Sequence, residues 1–211
     1  MKKLSEILGR TCIWSLLLLI SYPGVCQVDL STDLERFDQG DTKVFITNGL
    51  FKSQGLNMKI TLPSNWEKAE AQMPNVIKQF FSPRGGALMI TVMKDKTKST
   101  FSPSEVVANT GRKQLEKLFP APVRIFSINS TVKLNGRAAA AVTYKMLING
   151  DNNFDGADRM VKSITYITYY KNYAVILGFS VTGKSEDFVD ELFENISPVF
   201  SRIANSIRIT P

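Results

Sequence analysis

The polar and apolar positions first alternate with the period of a strand. Leu56, Met58, Ile60 and Leu62 interleave with Asn57, Lys59 and Thr61, the signature of a half-buried strand, and Pro63 stops it. A short β-branched run at 43–47 predicts a strand before it. VIKQFF within 75–82 and the continuous apolar run 87–93 predict two more, joined as a hairpin by Pro83-Arg84-Gly85-Gly86. After a basic loop at 94–100 the pattern turns helical. Ser102 as N-cap, Pro103 at the first helical position and Glu105 three residues after Ser102 form a capping box. Val107, Leu115 and Leu118 share one face of the expected helix, which Gly111 weakens by about 1 kcal/mol and Pro120 and Pro122 end.

The second half repeats the scheme. Residues 123–134 and 137–148 predict strands around Asn135-Gly136, a strong hairpin turn. On the returning strand Ala138, Ala140, Val142, Tyr144, Met146 and Ile148 fall on one face. A loop at 149–158 leads to a strand at 160–170, and Lys171-Asn172 turns it into 173–181, where Tyr173, Val175, Leu177 and Phe179 share a face. The last element, 185–207, is expected to be helical, with Phe188, Leu192, Ile196, Phe200, Ile203 and Ile207 as its apolar stripe and Pro198 as a kink or restart capped by Ser197. Short turns demand antiparallel neighbours. Strands, helix, a meander of strands and a second helix make an α+β domain, not a doubly wound one.

The first 26 residues have another character. Lys2, Lys3 and Arg10 precede an apolar stretch at 11–20 that Pro23 and Gly24 break, which predicts an export signal. Its apolar run is about half of the roughly 20 residues that span a bilayer. Cleavage after Cys26 is expected, with lipidation of Cys26 as the alternative. Both cysteines, Cys12 and Cys26, then leave with the leader, so export implies no disulfide. Residues 27–41 are polar and acidic and predict a mobile lead-in. A single domain is expected over 42–211, with no membrane span after cleavage.

Composition narrows the chemistry. Hydrophobic residues at 44% and charged residues at 21% are globular values. The absence of histidine removes the commonest general base and metal ligand. The leader contributes +2 and the lead-in −4 to the overall +7, so the body from Thr42 carries +9. Outside the cytoplasm such a body suits an anionic surface, and the clustered Lys94, Lys96 and Lys98 are the candidate partner-binding residues. No nucleic-acid motif accompanies them.

Four motifs invite sharper readings. Gly178-Phe-Ser-Val-Thr-Gly-Lys-Ser185 matches the phosphate-binding loop letter for letter. Only 26 residues follow it, and they offer no second strand for a metal-binding Asp, so it is expected to be strand and turn, with no cofactor. Asp151, Asn153 and Asp155, followed by Gly156, have the order of the first half of a calcium loop, but position twelve is Lys162 instead of Glu, so any calcium would be weakly held; Asp158 is a substitute ligand. Ser130 and Lys133 match S-x-x-K, yet on a strand residues three apart point to opposite faces. Tyr166, Tyr169, Tyr170 and Tyr173 read as cross-strand packing, and Trp66 as a core lid.

The strand running into Pro63-Ser64-Asn65-Trp66, the Asn135-Gly136 hairpin with its small-residue return strand, and the final strand feeding a Phe-rich helix together resemble the PsbP-like family over roughly residues 56–209. The resemblance implies an antiparallel sheet flanked by helices, an α/β/α sandwich. Family members include photosystem subunits, bacterial envelope lipoproteins and a nuclear-import factor that binds a small GTPase. Most are non-catalytic. The photosystem members' metal ligands include His, and this chain has none. The function expected is therefore a periplasmic or secreted binding or assembly module of the bacterial cell envelope, not an enzyme, with a protein or an anionic envelope surface as partner. The alternatives are a carboxylate-dependent hydrolase, which would need two acids converging in a cleft, and a weak calcium-binding protein.

Overall fold

The computed structural model describes residues 32–71, 73–119, 123–150 and 156–210. In chain order they form α1 (Thr32–Asp38), β1 (Thr42–Ile46), a 3-10 turn (Phe51–Ser53), β2 (Asn57–Pro63), β3 (Glu67–Ala69), β4 (Val76–Phe81), β5 (Gly86–Lys94), α2 (Pro103–Thr110), α3 (Arg112–Glu116), β6 (Arg124–Leu134), β7 (Arg137–Ile148), β8 (Arg159–Tyr170), β9 (Tyr173–Gly183), α4 (Glu186–Asn205) and β10 (Arg208–Thr210). Seven strands make one sheet in the order β3-β4-β5-β9-β8-β7-β6, and β1-β2-β10 make a second. Every pairing is antiparallel.

The large sheet is buried on both faces, which is why β9 shows no polar face. Tyr173, Val175, Leu177, Phe179 and Val181 pack with α4 and the inner residues of the small sheet. Ala174 and Ile176 face the other way, into a layer with Phe101, Leu115, Leu118 and Phe119. Helices thus lie on both sides of an antiparallel sheet, the α/β/α arrangement expected. The Asn135-Gly136 turn has φ of 47° and 79°, the type I′ geometry that matches strand twist. The Ser102 capping box is present in full.

Four expectations are corrected. Part of the supposed mobile lead-in is α1, whose Leu34 and Phe37 pack on the core and whose Asp33 is only 1% exposed. The helix expected to run through Gly111 is two helices. Gly111 is extended (φ −62°, ψ 145°), and Val107, taken as a core residue, is 71% exposed. The last helix stops at Asn205, so Ile207 is buried beyond its end rather than on its stripe, and the chain continues into a strand in which Ile209 pairs with Met58. At the ends of their apolar stripes, Ala138 is exposed and Phe188 is 42% exposed. Helix α4 does continue through Pro198 without a restart. The Glu194 carbonyl, deprived of the Pro198 N–H, is approached by the Ser197 hydroxyl at 3.5 Å.

The end where α1 docks is held by a buried polar group. Asp33 accepts hydrogen bonds from Asn65 Nδ2 (2.8 Å), Trp66 Nε1 (3.1 Å) and Ser82 Oγ (2.5 Å), and Arg84 Nε lies 3.5 Å away. Trp66 and Arg84 are themselves buried. A carboxylate supplied by α1 therefore satisfies donors on the β2–β3 connection and the β4–β5 hairpin.

Candidate functional site

The opposite end of the sheets carries the lysines singled out from the sequence. Lys94 closes β5, and its Nζ lies 5.1 Å over the Tyr173 ring. The following loop is tied to the β8–β9 turn: Asp95 N donates to Asn172 O (2.8 Å), Asn172 Nδ2 donates to Asp95 O (3.0 Å), and Phe101 N donates to Lys171 O (2.8 Å). Asp95 accepts from the hydroxyl (2.6 Å) and N–H (2.9 Å) of Thr97. The Thr97 hydroxyl is the main cause holding the Asp95 carboxyl below its ordinary value, against a smaller opposing effect of burial. Lys96 is exposed. Lys98 pairs with Glu105 and lies over Phe101. The three lysines do share one end, with Lys98 partly neutralised.

A second loop meets them there. After β1 the chain turns through Gly49 (φ 76°), makes the 3-10 turn and leaves through Gln54 (φ 53°) and Gly55 (φ 86°). Leu50 packs inward on the core. Ser53 Oγ donates to Leu50 O (2.7 Å), Gln54 Nε2 to Val92 O (3.2 Å) and Tyr173 Oη to Gln54 O (3.0 Å), and Lys52 Nζ donates to Ala71 O. Tyr173 thus touches both loops. The turn is braced from three sides, and at its tip Phe51 is 97% exposed. The turn thus holds a bare phenylalanine at the same end of the sheets as Lys94, Lys96 and Lys171. Sequence patterning missed Phe51 and Lys171. An isolated Phe in a loop has no periodic neighbour, and the three loops lie up to 120 residues apart in the chain.

The other motifs fall elsewhere. Asp151, Asn153 and Asp155 lie outside the described residues. At the neck of their loop Asp158 accepts from Gly150 N at 2.7 Å, so this acid is already in use as a staple. Among the described residues no group of three or more His, Cys, Asp or Glu is placed to hold a metal. The phosphate-loop match lies within and just after β9, with Gly178 to Val181 paired along β5, so no cradle of N–H groups forms. Gly183 is glycine for packing. A side chain there would meet the Phe188 ring and lie 2.9 Å from Val189 Cγ2. Ser130 and Lys133 are exposed on the edge strand β6, where the register is bulged between Asn129 and Val132. Tyr166 and Tyr169 pack into opposite faces of the sheet, and burial pushes the Tyr169 hydroxyl up to about 12, so it stays protonated.

The carboxylates of α4 converge on lysines. Lys145 and Lys162 stand directly opposite each other on β7 and β8. Lys145 Nζ donates to Glu186 (2.5 Å) and Asp190 (2.6 Å), and Lys162 Nζ lies 3.0 Å from Asp190 and 3.2 Å from Glu194. Burial alone would lower the Lys145 pKa, but the hydrogen bonds to Asp190 and Glu186 outweigh it and the net shift is upward. Asp190 is held below its ordinary value, chiefly by the Lys145 hydrogen bond. A carboxyl depressed on folding stabilises the protein above its unfolded pKa of about 3.9 and loses that contribution as pH falls through the folded value. In urea titrations from pH 7 down to pH 2.5, Lys145→Met is expected to flatten the acid limb of stability. An unchanged limb would show that the pair contributes nothing.

No family model and no curated protein matches the sequence. Solved structures do. Cyanobacterial PsbP (CyanoP) from Synechocystis sp. PCC 6803 superposes with a TM-score of 0.51 at 11% identity, over 89% of this chain and 99% of that one. The chain therefore has a PsbP-like α+β fold. Mog1p, the Ran-binding protein of Saccharomyces cerevisiae, gives 0.48 at 9% identity, over 79% and 94%. LpqN, involved in cell envelope biogenesis of Mycobacterium tuberculosis, gives 0.43 at 14% identity, over 90% and 100%.

Proposed function

We propose that this chain is an exported, non-catalytic binding module of the bacterial cell envelope that engages an anionic partner through the end formed by Phe51, Lys94, Lys96, Lys98 and Lys171. The observation that carries the reading is Phe51 itself, 97% exposed on a braced turn among lysines. Export rests on the residue pattern of the leader. Glu186 and Asp190 converge on Lys145 rather than on each other across a cleft, which favours binding over carboxylate hydrolysis. The test is capture from the native envelope fraction by immobilised protein. Phe51→Ser, and separately the triple change of Lys94, Lys96 and Lys98 to Ala, should each lower the amount captured about tenfold or more, since an anchor aromatic or a charge cluster is worth at least that. Capture that ignores both changes would refute the assignment.

A further inference from the structure

The same end defines the chemistry of what it meets. Resting on the reading above, we infer that its partner is the surface of an anionic lipid bilayer, into which Phe51 inserts while the surrounding lysines lie among the headgroups.

Charge is the first argument. This end carries Lys52, Lys96, Lys98 and Lys171 on its loops, Lys94 at the end of β5 over Tyr173 and Arg137 at the start of β7 over Tyr170, against Glu70, Asp95 and Glu105. Glu70 is already paired with Lys78, and Glu105 with Lys98. The bias continues along the adjoining outer face of the small sheet. There Val44 and Ile46 of β1 stand exposed beside Thr61 and Lys59 of β2, and Arg208 of β10 lies directly opposite Lys59. That face carries no acid: its remaining positions are Thr42, Pro63, Asn57 and Thr210. Apolar side chains scattered singly among cations are what an anionic interface accommodates, with stems in the apolar boundary and charges at the headgroups.

The distribution of apolar surface is the second argument. A protein interface of ordinary size concentrates several aromatic and aliphatic anchors in a dry centre ringed by polar groups. This end offers one fully bared ring, rigidly held, with polar and basic residues around it. A fluid bilayer needs no complementary pocket. Among the described residues no helix is long and apolar enough to cross a membrane, so contact through these loops would be peripheral.

The test uses the full chain carrying Trp14→Phe, so that Trp66, which is fully buried, is the one native indole left. Phe51→Trp then adds an exposed indole at the tip, whose emission responds to the tip alone whatever residues 1–31 do. Vesicles with about one-third anionic lipid should shift that emission to the blue and let bromine-labelled acyl chains quench it, whereas zwitterionic vesicles should do neither. Each lysine changed to Ala among Lys94, Lys96 and Lys171 should weaken the vesicle response about fivefold. Emission unmoved by anionic vesicles, alongside envelope capture that still depends on Phe51, would overturn the bilayer and leave a protein partner for the same end. Loss of both would overturn the binding site itself. A shift without quenching would place the tip outside the acyl region and refute insertion.

Discussion

Asp33→Ala is expected to lower the melting temperature by roughly 6–20 °C. Breaking a buried ion pair costs about 3–5 kcal/mol, and a protein of this size loses roughly 2–4 °C per kcal/mol. The change strands four groups at once. Arg84 loses its counter-charge in a buried site, and Asn65, Trp66 and Ser82 lose their acceptor. A seven-residue helix is marginal on its own, so α1 should detach with the carboxylate. Calorimetry on Asp33→Ala, Arg84→Met and the double variant separates the causes. If stranded charge dominates, the double variant recovers part of the loss. A double variant as unstable as the sum of the singles would show instead that the packing of α1 is what matters. A melting temperature unchanged in Asp33→Ala would mean that the network is dispensable.

Phe200→Ala should cost about 3–5 kcal/mol, the range for emptying a buried aromatic site. Phe200 is fully buried in α4 at the junction of the two sheets. Its ring stacks on Phe179 at 4.9 Å and meets Trp66 at 6.3 Å and Phe193 at 6.1 Å. Gly86 leaves it room, since a side chain there would lie 3.2 Å from the Phe200 ring and 2.5 Å from Ile196 Cδ1. The void cannot collapse easily, because β9, α4 and the β2–β3 connection all border it. Phe188→Ala, at the half-exposed start of the same stripe, is the control and should cost about 1–2 kcal/mol by lost area. Equal losses in urea unfolding would contradict the assigned hub.

The elements legible in the sequence were those whose cause is local. Asn135-Gly136 needs only its own backbone freedom, and the Ser102–Glu105 box only four consecutive residues. The strands β2, β7 and β9 announced themselves by alternation. What stayed hidden depends on partners far along the chain. Helix α1 is stabilised by Trp66, Ser82 and Arg84, the nearest of them 33 residues beyond Asp33, so its acidic sequence read as loop. Strand β10 has three residues and exists because Ile209 pairs with Met58 and reaches the core. Gly111 read as a soft spot in a helix, whereas the chain uses it to change direction. The lysines of the candidate site were visible as a cluster. Phe51 was not, because its position beside them is made by Tyr173, which holds Gln54 with its hydroxyl and Lys94 with its ring.

The clamp on α1 also sets a leash. Asp33 is the seventh residue after Cys26, and seven residue steps fully extended reach about 25 Å. Asp33 is fixed at the Trp66 and Arg84 end of the sheets, whereas Phe51 lies at the other end, beyond the nine residues of β5, a length of about 27 Å. A chain tethered to a membrane at residue 26 would therefore carry its Phe51 tip pointing away from that membrane, toward whatever lies across the gap. A chain released by cleavage has no such polarity and can turn the tip to either side. If residues 1–26 act as a leader, retention or removal of that segment decides whether the protein is a spacer with two ends or a free ligand with one.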